Sequence, residues 1–372
     1  MKVAPTIMTE KLPLYHKLAV ITIGLFVFFY VLFLGQEILV PLTFSWLLAI
    51  LLNPVVNFLE RKKINRIVAI LLAITLMIVV TAGILFFIGS QFSMFVDMLP
   101  QLKHKSTELA HKGLTWLSHT FNITTPKVNS WINEQKAKSM EGASGLLGTT
   151  LGTVSGVFFA LFLLPVYIFL FLFYKPLLLQ FIAKLFSSDK HTVVADVLKE
   201  TKSLIQNYLV GLMIEMCIVA VMNSVALMLI GIPYAILLGV IGAILNLIPY
   251  IGGIVAIALP MIMGLMTDTP ASALYVFLAY MLIQFVDNNF LVPKIVASKV
   301  KVNAFISIIV VLIGGTLWGV AGMFLSIPLI AILKVIFDRV DALEPFGFLI
   351  GDEMPDQATG IFSLHKKEND AA

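Results

Sequence analysis

The chain has 372 residues, of which 59% are hydrophobic and 12% charged, against about 45–50% and 25% in soluble domains. This composition excludes an ordinary soluble protein and predicts an all-α, polytopic membrane protein. The formal charge of +4 is concentrated in short clusters between apolar runs, which indicates membrane topology and disfavours nucleic-acid binding.

The N-terminal part contains four apolar runs of spanning length, at residues 18–34, 38–59, 67–88 and 151–174. A basic cluster follows the second run: Arg61, Lys62, Lys63 and Arg66. The positive-inside rule places this cluster, and with it the N-terminus, in the cytoplasm. We expect the second helix to end near Asn53, Pro54 and Asn57, and Pro165 to kink the fourth.

Two less hydrophobic segments interrupt the spans. Residues 91–145 show helical spacing of apolar side chains and are predicted to form amphipathic helices outside the membrane core, on the exterior. A structural collar is favoured there over a binding cap, because such stripes ordinarily pack. Residues 175–202 predict a cytoplasmic amphipathic arm.

The C-terminal half combines two spans, 204–230 and 271–292, with two broken apolar runs. The first, 237–267, is interrupted by Asn246, Pro249, Tyr250 and Gly252, and it predicts two half-helices that meet at a tip inside the molecule. Two full spans would satisfy the charge pattern equally well, but the length favours a re-entrant hairpin.

The second broken run covers residues 304–336 and is interrupted by three tip glycines, Gly314, Gly315 and Gly319. We expect it to enter from the cytoplasm and return there, opposite to the first. Inverted broken helices of this kind form the transport sites of many secondary transporters. Residues 1–174 are therefore predicted to be a scaffold and 203–343 a transport unit, followed by a polar, disordered cytoplasmic tail at 344–372.

Ionisable groups are sparse in the transport unit. No Lys or Arg occurs between Ser203 and Pro293, yet Glu215 and Asp287 lie in predicted spans. An intramembrane acid is a functional candidate, so Glu215 is predicted to carry a coupling proton. The alternative is a neutral Glu that donates a hydrogen bond to a neighbouring helix. For Asp287 a helix-end or ion-pair role competes equally with ion coupling.

The predicted binding residues are polar or helix-breaking groups at or facing the first tip: Asn246, Pro249, Tyr250, Gly252, Gln284, Asp287, Asn288 and Asn289. Half-helix N-termini suit anionic or hydroxyl-rich ligands. For the glycines, close helix packing is the preferred interpretation. The single cysteine, Cys217, excludes disulfides and cysteine metal sites, and no catalytic or nucleotide-binding motif is present, so neither an enzyme nor a cofactor is expected.

Several short motifs occur along the chain's apolar segments and their ends. They are Leu39-Val-Pro41, Leu52-Asn53-Pro54-Val55-Val56-Asn57, Asn207-Tyr208 with Gly211, Ile230-Gly231-Ile232-Pro233-Tyr234, Asn246-Leu-Ile-Pro249-Tyr250-Ile-Gly252, Gln284-Phe-Val-Asp287-Asn288-Asn289 with Leu291 and Pro293, and Gly314, Gly315, Gly319, Gly322 and Pro328. Through these motifs nearly the whole chain resembles the autoinducer-2 exporter (AI-2E) family.

The resemblance implies a homo-oligomeric carrier of the bacterial cytoplasmic membrane, with a pentamer as the expected assembly. Similar proteins export autoinducer-2, a furanosyl signal of quorum sensing, and others exchange sodium or lithium for protons. The expected function is export of a small polar solute, driven by the proton gradient. Cation/proton antiport and a membrane scaffold that binds other proteins are the alternatives.

Overall fold

A computed structural model describes residues 13–90, 108, 162–267, 271–296 and 301–353, and all regular secondary structure in these ranges is helical. Six of the described helices are long and apolar enough to cross a membrane. The predicted all-α, polytopic architecture is therefore confirmed. The exterior segment 91–145, apart from Glu108, and the tail from 354 onward lie outside the described residues.

The described helices follow one another in the chain, and between the third and the fourth helix residues 91–161, apart from Glu108, lie outside the described residues. They are α1 (Leu14–Leu34), α2 (Gln36–Arg61), α3 (Arg66–Ser90), α4 (Phe162–Phe173), α5 (Lys175–Leu185), a 3-10 turn (Ser188–Lys190), α6 (His191–Ile230), α7 (Ala235–Asn246), α8 (Gly252–Leu265), α9 (Ala271–Val286), a π-helix (Asp287–Val296), α10 (Ala304–Phe337) and α11 (Glu344–Ile350). At the end of the predicted fourth span the chain bends by 60° between α4 and α5.

Three helix ends differ from the sequence-based expectation. Helix α2 continues through Pro54 to Arg61, and the sixth span continues past Pro293 as a π-helix. Helix α6 has 40 residues and is about 60 Å long, so it joins part of the predicted cytoplasmic arm to the fifth span without a break.

The continuation of α2 through Pro54 depends on a contact with α6. Proline has no N–H, so the Ile50 carbonyl lacks its intrahelical donor. The side-chain amide of Gln206 supplies one, with Nε2 2.7 Å from the Ile50 oxygen. This hydrogen bond joins the two helices at the point where α2 is weakest.

Gln206→Leu is expected to destabilise the protein by about 1–3 kcal/mol, because it leaves the Ile50 carbonyl without a donor in a partly buried contact. In a Pro54→Ala background the alanine N–H restores the intrahelical bond, so the same substitution should then cost much less. Thermal unfolding of the four proteins in detergent measures this coupling. An equal loss in both backgrounds would contradict the assignment.

The first broken run folds back on itself, as predicted. A Cβ placed on Gly242 in α7 would lie 3.7 Å from Ala256 Cβ in α8, whereas these residues would be about 21 Å apart in a straight helix. The end of α8 meets the start of α9, since a Cβ on Gly264 would lie 2.9 Å from Ala273 Cα. Helices α7 and α8 are therefore a hairpin with its tip at residues 247–251.

The second broken run, α10, is also a hairpin, although its length alone would allow one span. Its break lies at Trp318 and at Gly319, where φ is +59°. Ser326 Oγ donates to the Val310 carbonyl at 2.8 Å, a pair that would lie about 24 Å apart in a straight helix. The two halves touch because Gly314 and Gly322 have no side chains: a Cβ on Gly322 would clash with the Gly314 carbonyl.

Both ends of the α10 hairpin lie together, held by Asn303. Its Oδ1 caps the first turn by accepting from Ile306 N at 2.9 Å, and its Nδ2 donates to the Leu349 and Gly351 carbonyls at 2.7 and 2.9 Å. The prediction of disorder beyond Glu344 is wrong for residues 344–350. These carbonyl contacts hold α11 in place. The composition of the tail did not indicate them.

Three apolar clusters hold the helices together. The first joins α2, α3 and α4, and the second joins α6, α7, α8 and α9. The third joins α2, α6, the π-helix and α10. Leu247 at the first tip and Trp318 at the second pack against this third cluster. The two hairpin tips therefore converge on one core inside the molecule.

Candidate functional site

The tip of the first hairpin is tied to the end of α9 by a buried polar contact. Asn246, the last residue of α7, donates through Nδ2 to Asp287 Oδ2 at 2.8 Å. Asp287 is only 1% exposed, and its Oδ1 has no hydrogen-bond partner in the described ranges. One buried oxygen of the residue bonded to the tip therefore lacks a donor among the described residues.

Glu215 lies beside this contact. It is 5% exposed, and its carboxylate is close enough to that of Asp287 for the two to repel each other. Glu215 lies about four turns before the end of α6, and Asp287 about four turns after the start of α9, so both lie at a similar distance from those two helix ends. Keeping both carboxyl groups charged in a low-dielectric interior costs free energy.

Of the other predicted binding residues, Gly252 and Gln284 lie at the first tip, whereas the Tyr250 ring lies outside the buried cluster. Gly252 is required by the turn, because a Cβ there would overlap the Leu245 carbonyl, and Gln284 faces the tip with Oε1 2.6 Å from a Cβ placed on Gly253. Tyr250 adopts a positive φ of 65° and is 54% exposed, so its ring lies outside the buried cluster.

The remaining predicted residues are more peripheral. Pro249 is partly buried in the turn, where its carbonyl accepts from Ile251 N. Asn288 and Asn289 are exposed: Asn288 accepts from Gln284, and Asn289 bonds back to the Phe285 carbonyl of its own helix. The structure thus groups Asn246, Gln284 and Asp287 at the tip with Glu215, and leaves Asn289 outside.

Two buried polar residues were missed by sequence reasoning. Asn223 Oδ1 and the Tyr280 hydroxyl are both buried without a partner among the residues the structure describes. Both side chains face Gly242, because a Cβ placed there would lie 3.2 Å from Asn223 Nδ2 and 3.2 Å from Tyr280 Oη. Asn223 lies two turns after Glu215 and Tyr280 two turns before Asp287. This spacing puts each on the same helix face as its carboxylate, a signal that the sequence contained.

The second tip contributes packing more than polar groups. Gly314 and Gly315 contact the returning half of α10 at Gly322 and Met323, and Gly319 provides the turn. The Trp318 indole N–H donates to the Leu32 carbonyl at 2.9 Å, one of the last four carbonyls of α1, which lack intrahelical donors. Sequence reasoning preferred packing for these glycines; Gly314 and Gly315 do pack closely, whereas an added Cβ at Gly319 would meet no atom within 4 Å.

An open cavity of about 550 Å³ lies at the base of the second hairpin, lined by Ser203 and Asn207 of α6, Lys301, Lys334 and several acidic residues. Asn207 is about two turns from Glu215 on one face of α6. Between them lies Gly211, where α6 approaches the π-helix so closely that a Cβ would come within 2.7 Å of the Ile295 carbonyl. The cavity is therefore separated from the carboxylates by one tight helix contact.

This geometry offers hydrogen-bond acceptors and amide groups. Asp287 and Glu215 can take up a proton or a cation, and Asn246 and Gln284 can bond hydroxyl groups. Within the described ranges, no set of three His, Cys, Asp or Glu side chains is arranged to hold a metal ion. The site suits reversible binding of a small polar solute or of an ion with oxygen ligands.

Comparison with known proteins agrees with this architecture. YueF of Bacillus subtilis (strain 168) is 26% identical over 80% of this chain and 82% of its own length. The AI-2 transport protein TqsA of Escherichia coli (strain K12) is 23% identical over 86% of this chain and 90% of its own. The sequence profile of the AI-2E family transporters matches residues 20–342, most of the chain. The protein therefore belongs to the AI-2E transporter family.

Proposed function

We propose that this transporter exports a small polar solute of the autoinducer-2 type, a furanosyl diol, and that the proton gradient drives export. The observation that carries the proposal is the buried pair Glu215 and Asp287 at the tip of a re-entrant hairpin, joined to that tip through Asn246. The relationship to TqsA, named an AI-2 transport protein, supports the choice of solute.

Solute binding follows from the unpaired atoms at the tip. Asp287 Oδ1 is a buried acceptor that can bind a hydroxyl hydrogen, and Gln284 lies beside Gly253 with its amide at the same tip. A diol presents two adjacent hydroxyl groups, so it can replace two missing hydrogen bonds at once. Such a solute gains specificity because the buried groups would otherwise stay unpaired.

Proton coupling follows from the repulsion between the carboxylates of Glu215 and Asp287. When the tip binds a solute at Asp287, the electrostatic environment of Glu215 changes, since the two carboxylates repel each other. Binding of solute and binding of a proton are then linked and reciprocal. Transport requires no chemical conversion, so the solute is recovered unchanged and no cofactor is involved.

The proposed setting is the bacterial cytoplasmic membrane, with both termini in the cytoplasm and the chain assembled as a homo-oligomer, a pentamer by analogy with similar proteins. The basic residues after α2 support this orientation under the positive-inside rule. Helix α1 exposes large apolar side chains along its length, including Phe26 and Val20. Lipid or neighbouring copies must cover this surface.

Sodium or lithium exchange for protons is the second candidate, favoured by one observation. All the side-chain acceptors around the tip are oxygens: Asp287 Oδ1, Glu215 and the amide oxygens of Asn246 and Gln284. Small hard cations prefer such ligands. A scaffold that binds other proteins remains the third candidate and predicts no flux at all.

Proteoliposomes separate these candidates. With an imposed pH gradient, we expect uptake of a furanosyl diol to exceed that of protein-free vesicles and to saturate with concentration, as for a carrier. Sodium flux that dissipates the pH gradient without any diol would favour the antiporter instead. Absence of flux for diols, sodium, lithium and protons would remove transport of these solutes and favour the scaffold.

A further inference from the structure

We propose that the pocket between the C-terminal end of α2 and the bend joining α4 to α5 binds the phosphate group of an anionic phospholipid. The pocket is independent of the carboxylates at the hairpin tip. It has a volume of about 170 Å³ and is lined by Asn53, Glu60, Arg66, Leu172 and Lys175, among others.

Two hydrogen bonds hold the pocket walls. Lys175 Nζ donates to Asn53 Oδ1 at 2.9 Å, which joins α5 to α2. One terminal N–H group of Arg66 donates to the Leu172 carbonyl at 2.7 Å and so caps the C-terminal end of α4. Both side chains are thereby fixed at the pocket before any ligand binds.

Two further donors in the pocket have no acceptor. Asn53 is 5% exposed, and its Nδ2 is buried without a partner, as is Arg66 Nε, within the described part of the chain. The orientation of the Asn53 amide is fixed, because a lysine ammonium can only donate and must face Oδ1. A phosphate oxygen can only accept, so it would satisfy both groups and remove the cost of leaving them unpaired.

The local charge also favours an anion. Arg66 and Lys175 line the pocket, and Lys202 lies close enough to repel the Lys175 ammonium. Among the described lining residues Glu60 is the single carboxylate, with Oε1 3.8 Å from Arg66 Nε. The N-terminus of α5, an 11-residue helix beginning at Lys175, adds partial positive charge. Two lining cations against one lining carboxylate leave a net positive pocket, and Lys202 adds to it from nearby.

The surroundings favour a lipid over a soluble anion. The pocket lies where the apolar helices α2 and α4 end, and α5 turns away from α4 by 60°. Next to the pocket, α5 exposes Leu177, Leu178 and Phe181, which can pack against acyl chains. Basic pockets at the membrane surface attract anionic headgroups.

The test is lipid binding to the full-length protein in detergent, measured by native mass spectrometry during titration with phosphatidylglycerol or phosphatidylcholine. We expect one phosphatidylglycerol per chain to bind more tightly than phosphatidylcholine. Lys175→Gln should weaken this binding about fivefold, as expected for one basic residue near an anionic headgroup. Lys184→Gln removes the same charge at the other end of α5 and should leave binding unchanged.

A second variant covers the case in which Lys175→Gln misfolds. Asn53→Asp keeps the acceptor for Lys175 but replaces the free donor with a carboxylate oxygen, so it should weaken phosphatidylglycerol binding at least as much. Equal binding of both lipids, or unchanged binding by both variants, would overturn the proposal. Displacement of the lipid by equimolar inorganic phosphate would also overturn it, by assigning the pocket to a soluble anion. Solute flux does not enter the readout, so the transport proposal is tested separately.

Discussion

Glu215→Gln is expected to reduce transport driven by a pH gradient to the level of protein-free vesicles, while solute exchange at equal pH survives. Glutamine keeps the size and hydrogen-bonding capacity of the side chain but cannot ionise. If Glu215 exchanges its proton during each cycle, coupling must fail while the Asn246–Asp287 contact and the binding tip remain. Measuring gradient-driven uptake and exchange in the same vesicles separates the two effects.

Glu200→Gln provides the matched control for this experiment. Glu200 lies on the same helix as Glu215 but is exposed and pairs with Arg339 at 2.8 Å. An exposed ion pair contributes little to stability, so this variant should transport normally. If Glu215→Gln retains full gradient-driven uptake while Glu215→Leu impairs assembly, the residue is a structural hydrogen-bonding group and coupling must lie elsewhere.

Gly252→Ala is expected to abolish transport and to lower stability markedly, because its Cβ would occupy the position of the Leu245 carbonyl. Neither atom belongs to a flexible side chain, so α7 and α8 must separate at the tip. Overpacking of this kind typically costs about 1–3 kcal/mol, and sometimes more. Separation would also withdraw Asn246 from Asp287. Thermal unfolding in detergent and flux in vesicles measure the two consequences.

Gly253→Ala is the neighbouring control. A Cβ at Gly253 meets the flexible end of Gln284, which can rotate away, so the fold should lose much less stability than with Gly252→Ala. Similar unfolding temperatures for the two variants would show that the tip tolerates separation of its half-helices. A stable Gly252→Ala protein with normal flux would show that the tight turn is unnecessary for transport.

The hairpins were predictable because their signals are local. Pro249 and Gly252 interrupt one apolar run, and the Gly314 to Gly322 series interrupts the other, in a solvent where irregular backbone must be enclosed by protein. The buried acids were predictable for a similar reason, since a carboxyl group in an apolar segment requires an explanation. Composition and spacing therefore suffice for the architecture and for Glu215, Asp287 and Asn246.

Other features depend on contacts between distant segments and were not predictable. Pro54 marks a helix end by local rules, but Gln206 replaces its missing donor from another helix. The order of α11 depends on Asn303, which lies more than forty residues away. Asn223 and Tyr280 each share a helix face with a buried acid, but only the fold places both against Gly242. A single sequence without the fold cannot reveal such pairs.

The attachment of α11 to α10 couples the second hairpin to an exposed helix. Asn303 joins the carbonyls at the end of α11 to the first turn of α10, so the small helix must follow any displacement of the hairpin base. Phe346 and Phe348 project from α11 and are exposed. Motion of the hairpin base can thus be followed with a fluorescent reporter attached to this exposed helix.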